Sequence, residues 1–308
     1  MSLVQRFALS LLLLVAPGIA AQPGAKPAAA SNKTVEELKP CVECHEQFFT
    51  ITQTKHFVKG DGRTPRGQAQ DEDTACMACH GDTSKHNRTP RVKGLVPVVF
   101  STKADAAPQN EKCLACHQGS ARILWQGSSH ERTQQACASC HRAHAPKDPV
   151  TVADTQSAVC FECHKDRRAE MFRLSTHPMK TGAMSCSSCH QPHGSPTRAL
   201  LQKTSVNDTC FGCHADKRGP FLWEHPSAKD DCTNCHNPHG TNISPMLKVR
   251  APYLCQQCHQ NIQHPSTPYG GTNLPPNVAA DKMLNRQCVN CHVRVHGSNH
   301  PSGARFLR

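Results

Sequence analysis

All 20 cysteines of this 308-residue chain fall into ten Cys-x-x-Cys pairs, and a histidine follows each pair directly. In order they are Cys41/Cys44/His45, Cys76/Cys79/His80, Cys113/Cys116/His117, Cys137/Cys140/His141 and Cys160/Cys163/His164, then Cys186/Cys189/His190, Cys210/Cys213/His214, Cys232/Cys235/His236, Cys255/Cys258/His259 and Cys288/Cys291/His292. Histidine is 21 of 308 residues, so ten such placements by chance have a probability on the order of 10⁻¹² for a motif that reads as c-type haem attachment. Cysteines three apart share one face of a helical turn. They can form thioethers to both vinyl groups of one porphyrin, and the next histidine can then bind its iron. Disulfides in an oxidising compartment or zinc ribbons would also use paired cysteines. Neither needs a histidine after all ten pairs. The expected cofactor is therefore ten c-type haems.

The second axial ligand decides what such irons can do. Eleven histidines lie outside the motifs: His56, His86, His130, His144, His177, His193, His225, His239, His264, His296 and His300. Ten haems need ten. His144, His193 and His239 sit three residues past a motif histidine, and His296 sits four past. His-Pro recurs between motifs at His177, His225 and His264. This rhythm makes His300 the spare and the other ten the expected distal ligands, with His86 the second candidate for a non-ligand. Imidazole on both faces leaves iron no open position and favours a relatively low potential. That is the profile of an electron carrier and not of an enzyme. Trp125 and Trp223, close before candidate ligands, are expected to pack on porphyrin faces.

The chain offers little other core. Aromatic residues are 5% and hydrophobic residues 37%, beside 23 prolines and 18 glycines, which is thin for a chain of this size. The expected fold is a multihaem cytochrome c. Loops and short helices wrap an elongated row of ten haems, with little or no sheet. Arg6, the apolar run Phe7 to Val15 and the small residues up to Ala21 form an expected export signal over residues 1–21, too short to span a bilayer. Residues 22–40 follow as a flexible lead-in. Export places the mature protein outside the cytoplasm. The formal charge of +12 becomes +11 without Arg6. Two propionates make each oxidised haem contribute about −1, so ten of them bring the protein close to neutral. The basic excess then points to propionates rather than to nucleic acid.

From Cys41 the sequence repeats, which constrains the fold more than local propensity does. Cys113, Cys160, Cys210 and Cys255 are spaced by 47, 50 and 45 residues. The copies are clearest in CFECHKDRR, STHP and CSSCHQPHG against CFGCHADKR, WEHP and CTNCHNPHG. Five two-motif units account for all ten motifs. They divide into an N-terminal five-haem half, 41–165, and a C-terminal five-haem half, 166–308. Asp61 to Asp73 and Thr267 to Ala280 break the rhythm and read as long loops.

CHGDTSKHN at 79–87, STHPM at 175–179, CHNPHG at 235–240, RAPYLCQQCH at 250–259 and VHGSNHPSG at 295–303 are more particular than a bare haem motif. Through them the chain resembles the periplasmic decahaem cytochromes of outer-membrane electron conduits, the MtrA, MtoA, PioA and DmsE type. It lacks the long N-terminal extension of the PioA kind, which points to the shorter members. The resemblance implies a haem wire threaded through an outer-membrane β-barrel porin. It would connect periplasmic or inner-membrane cytochromes to an outer-surface multihaem cytochrome or to extracellular metal, for metal reduction or Fe(II) oxidation. A free periplasmic shuttle, for example to a dimethyl sulfoxide reductase system, is the alternative. A multihaem reductase would need an open haem. No Cys-x-x-Cys-Lys motif is present, and Tyr253 and Tyr269 are the only tyrosines.

Overall fold

The computed structural model describes residues 41, 43–69, 72–259 and 287–308. The expected export signal, the lead-in, His264 and the Thr267 to Ala280 loop lie outside them.

Each motif is one closed turn of backbone. The histidine N–H donates to the carbonyl of the first cysteine, at 2.9 Å in His117→Cys113, His141→Cys137 and His164→Cys160 and at 3.0 Å in His190→Cys186. The first motif of a unit grows from the end of a short α-helix: Ala106–Leu114, Ala153–Phe161, Val206–Phe211 and Tyr253–Gln256. The second motif opens a single 3₁₀ turn: Cys137–Ser139, Cys186–Ser188, Cys232–Asn234 and Cys288–Asn290. At Ser205 the side chain accepts from Asp208 N–H and caps its helix, a contact worth about 1 kcal/mol. Such short helices cannot hold themselves in water, so neighbours must fix them.

Side-chain amides, buried at Asn110 and Asn207 and half-buried at Gln156, join the two motifs of a unit. Asn110 accepts from Cys137 N–H at 2.7 Å and donates to Gln135 O at 3.1 Å. Asn207 repeats this on Cys232 N–H at 2.8 Å and Lys229 O at 2.8 Å. Gln156 takes the same part, accepting from Ser187 N–H at 2.9 Å and donating to Val150 O at 2.7 Å. Losing such an amide would leave buried backbone groups unpaired, at about 1–3 kcal/mol.

Between units the contact is a His-Gly turn. Gly194 and Gly240 have φ of +127° and +126°, a region that side chains disfavour. A Cβ on Gly194 would lie 2.0 Å from Leu124 O, and one on Gly240 would lie 2.5 Å from Glu170 O. Glycine is thus required twice over, by its conformation and by the approach of the preceding unit. Sheet among the described residues is one ladder, Trp223–Glu224 antiparallel to Gly297–Ser298, with single bridges such as Ser175↔Thr241.

No conventional core forms among the described residues. Buried apolar side chains are few and mostly small, Trp125 and Met171 being the bulky ones, and the largest fully buried side chain is Gln109. Leu174 is 89% exposed and Ile123 75%. The mostly irregular backbone agrees with the expected fold class.

One expectation needs correcting. Asp61 to Asp73 is not simply a loop: it contains helix Pro65–Gln68, and Glu72–His80 begins inside it. Thr64 caps the first by accepting from Gly67 N–H at 3.0 Å, and Pro65 supplies the first helical position. The polar composition masked this Thr-Pro start signal. No helix among the described residues is long and apolar enough to cross a membrane.

Candidate haem sites

The histidine rings come in facing pairs, each joining one motif histidine to one outside the motifs. Ring centres are 6.2 Å apart in His45–His86, 6.0 Å in His56–His117, 6.2 Å in His80–His144 and 6.2 Å in His130–His164. They are 5.9 Å apart in His141–His193, 6.3 Å in His177–His214 and 6.0 Å in His190–His239. They are 6.1 Å apart in His225–His259 and 6.2 Å in His236–His296. Two imidazoles bound to one metal from opposite sides, through bonds of about 2 Å, have ring centres roughly 6 Å apart. The residues therefore fit a haem iron between each pair, with two cysteines at its edge.

The pairing crosses the sequence units. His56 and His144 are exchanged between the first and second units, His130 and His193 between the second and third. His177 and His239 are exchanged between the third and fourth, His225 and His296 between the fourth and fifth. Among the described residues, a unit closes on itself only at the amino-terminal end, through His45–His86. The spacing rhythm singled out these histidines but not the rings they face.

Hydrogen bonds orient the rings. His130 Nδ1 donates to Pro192 O at 2.8 Å, His177 Nδ1 to Pro238 O at 3.0 Å and His225 Nδ1 to Val295 O at 2.8 Å. Each acceptor is the residue just before the second histidine of the exchange, so the two crossing ligands brace one another. With its proton on Nδ1, a neutral imidazole keeps the Nε2 lone pair for metal. Burial lowers the pKa values of His80, His144, His193, His239 and His296, which favours the neutral form that a metal requires. His144 Nδ1 is buried without a hydrogen-bond partner; its ring meets the edge of Phe48 at 4.9 Å.

His300 differs. Its Nδ1 accepts from Ser302 N–H at 3.1 Å. A neutral ring accepting there carries its proton on Nε2 and has no lone pair left for iron. Its carbonyl accepts from Trp223 Nε1 at 3.1 Å, so Trp223 secures the carboxy-terminal segment. Trp125 is buried with its ring centre 6.4 Å from that of His193.

The cysteines line up in sequence order. Within units, Cys113 hydrogen-bonds to Cys137 and Cys160 to Cys186; the shared bond raises the first thiol's pKa and lowers the second's. Cys210 also hydrogen-bonds to Cys232 and Cys255 to Cys288, with burial the larger cause of the raised pKa values of Cys210 and Cys255. Between units, Cys79 feels Cys116, Cys140 feels Cys163, Cys189 feels Cys213 and Cys235 feels Cys258. From the second motif to the tenth, consecutive attachment sites are neighbours in space. The contacts Cys160–Cys186 and His141–His193 run across the 165/166 boundary.

First cysteines meet inside a unit and second cysteines meet across a unit boundary. Cys44 and Cys291 are the second cysteines of the first and tenth motifs, which have a neighbouring unit on one side only. These end motifs are built like the rest: His45 N–H donates to Cys41 O at 3.0 Å and His292 N–H to Cys288 O at 2.9 Å, so both turns keep the geometry that suits thioether attachment.

Comparison with known proteins finds multihaem cytochromes. The doubled CXXCH motif family matches residues 177–219 and 225–264, and the NrfB-like cytochrome c-type family matches 76–157. The chain is 43% identical over 288 residues to multiheme cytochrome MtrA of Shewanella baltica, covering 91% of this chain and 84% of that protein. It is 27% identical over 162 residues to cytochrome c-type protein NrfB of Escherichia coli O6:H1, covering 49% of this chain and 79% of that one.

Proposed function

The chain belongs to the MtrA family of multihaem c-type cytochromes, proteins of electron transfer, and from that premise we propose that it binds ten haems and conducts electrons between periplasmic carriers and the outside of the outer membrane. The observation that carries this reading is the set of facing imidazole pairs, 5.9–6.3 Å apart. Haem iron held between two imidazoles supplies a reversible one-electron change and has no vacant position for a substrate. The chain therefore acts as a carrier and not as an enzyme.

The protein's own part is placement. Twenty cysteines fix the porphyrin edges, from Cys41 and Cys44 at one end to Cys288 and Cys291 at the other. His45, His80, His117, His141, His164, His190, His214, His236, His259 and His292 take one axial position. His86, His144, His56, His193, His130, His239, His177, His296 and His225 take the other at the first nine sites, in the pairs described above. His264 completes the tenth with His292, because the two ends of the array are then equivalent: each terminal unit closes on itself where no neighbour is left to exchange with. His300 is the spare. The halves 41–165 and 166–308, five motifs each, are held together by the same exchange of ligands that joins the units within them.

The partner follows from physics as well as kinship. Irregular backbone cannot lie in hydrocarbon, because its polar groups find no partners there. The lumen of a closed barrel can hold it. The partner in this reading is an outer-membrane β-barrel porin. Periplasmic or inner-membrane cytochromes stand on one side, and an outer-surface multihaem cytochrome or extracellular metal on the other. The test uses liposomes enclosing a reducible dye, with an electron donor outside. Barrel and cytochrome together should bleach the dye while neither does so alone. Bleaching by the barrel alone, or failure of the two proteins to copurify, would leave a free periplasmic shuttle.

A further inference from the structure

The second motif of every unit treats its histidine in one way, with a single exception. His80 Nδ1 donates to Val98 O at 3.2 Å, His190 to Ala199 O at 2.8 Å, His236 to Pro245 O at 2.9 Å and His292 to Arg305 O at 2.6 Å. At His141 the acceptor is a carboxylate: Asp148 Oδ2, at 2.6 Å. In the third and fourth units the strand that supplies the carbonyl folds back beside the motif, through the bridges His190↔Leu201 and His236↔Leu247. The second unit has a shorter connection, and Asp148 reaches in from seven residues downstream of His141.

The carboxylate is held in place. Its Oδ1 accepts from Arg142 N–H at 3.2 Å and from Val150 N–H at 3.4 Å. Its side chain is 19% exposed. Capping the turn Pro149–Thr151 would need only one oxygen. The second oxygen is directed at the ring that faces His193 across 5.9 Å.

We propose that Asp148 is a positioning residue that tunes the haem bound at Cys137 and Cys140, giving that site a lower reduction potential than the other four second-motif sites. The inference rests on the reading of His141 and His193 as its axial pair. A carboxylate accepting from Nδ1–H makes the imidazole a stronger donor at Nε2 and brings a negative charge close to the metal. Both effects stabilise ferric over ferrous iron, whereas a main-chain carbonyl supplies a hydrogen bond without the charge. The opposing charge nearby is Arg122, felt at His193. It stays in place in every variant below, so the comparison isolates Asp148.

The experiment is a redox titration of the complete holoprotein followed by electron paramagnetic resonance. In the wild type, one low-spin ferric component with reduced g anisotropy should be the last of the second-motif signals to disappear on reduction. Asp148→Asn keeps the shape and a capping oxygen but removes the charge. It should move that one component up among the others and leave the rest of the titration unshifted, and Asp148→Glu should restore it in part. Asp61→Asn, which removes a surface carboxylate paired with Arg63, should move nothing. A role confined to capping would lower thermal stability and leave the titration in place; that result overturns the proposal. If Asp148→Asn does not mature, the wild type decides, and absence of the late component overturns the proposal equally. A high-spin signal in oxidised wild type would instead overturn the axial-pair reading, and the proposal with it.

Discussion

Replacing Gly194 with alanine probes the ligand exchange at its tightest point. The new Cβ would lie 2.0 Å from Leu124 O, about 1.3 Å inside the roughly 3.3 Å at which carbon and carbonyl oxygen meet. The obstacle is backbone, so it cannot swing aside. A residue with a side chain at φ +127° adds about 1–3 kcal/mol of strain, and overpacking adds about 1–3 kcal/mol more. Gly60 supplies the control: its φ is +81° and a Cβ there meets nothing within 4 Å, so Gly60→Ala should cost only the conformational part, about 1–2 kcal/mol. The extra cost at Gly194 falls on two sites together. Separating Leu124 from Gly194 by more than 1 Å would also break the 2.8 Å bond from His130 to Pro192 O, which braces the ligands facing His164 and His141. The assay is thermal unfolding of the holoprotein together with its high-spin signal. Gly194→Ala should unfold at clearly lower temperature than Gly60→Ala and show high-spin iron. Equal behaviour of the two variants would refute the exchange geometry.

Three further outcomes are expected. His193→Ala should leave one haem high-spin, whereas His300→Ala should leave all low-spin, because His300 Nδ1 already accepts from Ser302 N–H; a high-spin signal in the second variant would reverse the assignment at the carboxy-terminal end. Intact mass of the denatured mature protein should show ten haem additions and no disulfide, and nine additions would remove one motif from the account. Imidazole planes cross at 76–82° in His80–His144, His130–His164 and His56–His117, but lie within 22° of parallel in His141–His193, His236–His296, His190–His239 and His225–His259. Crossed planes leave the iron orbitals nearly degenerate, so the oxidised spectrum should contain a highly anisotropic group as well as a rhombic one; a single rhombic population would contradict these angles.

Much of this architecture was legible in the sequence because its chemistry is covalent and local. A Cys-x-x-Cys-His run carries its own turn, closed by bonds such as His117 N–H to Cys113 O, and thus needs no tertiary context to be recognised. The scarcity of apolar side chains likewise foretold a chain without a core of its own. What the spacing could not carry was partnership. His144 lies three residues from His141, yet its ring faces His80, because bracing between units outweighs proximity along the chain. His86, a candidate for the spare, sits opposite His45. Glycines 194 and 240 had a signal in the recurring Pro-His-Gly, although only the approach of Leu124 and Glu170 explains it. Asp148 had none, being one acidic residue in a basic loop, distinguished only by where its second oxygen points.

The claim that this chain is a conductor stands on iron with both axial positions filled by histidine. Spin quantification of the fully oxidised holoprotein by electron paramagnetic resonance tests it most directly. The account predicts low-spin ferric signals summing to ten haems and no substantial high-spin signal near g = 6, a value set by high-spin ferric haem itself. A high-spin signal integrating to one iron or more per molecule would reveal an open site, and with it an enzyme or an incomplete ligand set in place of a closed electron-transfer chain.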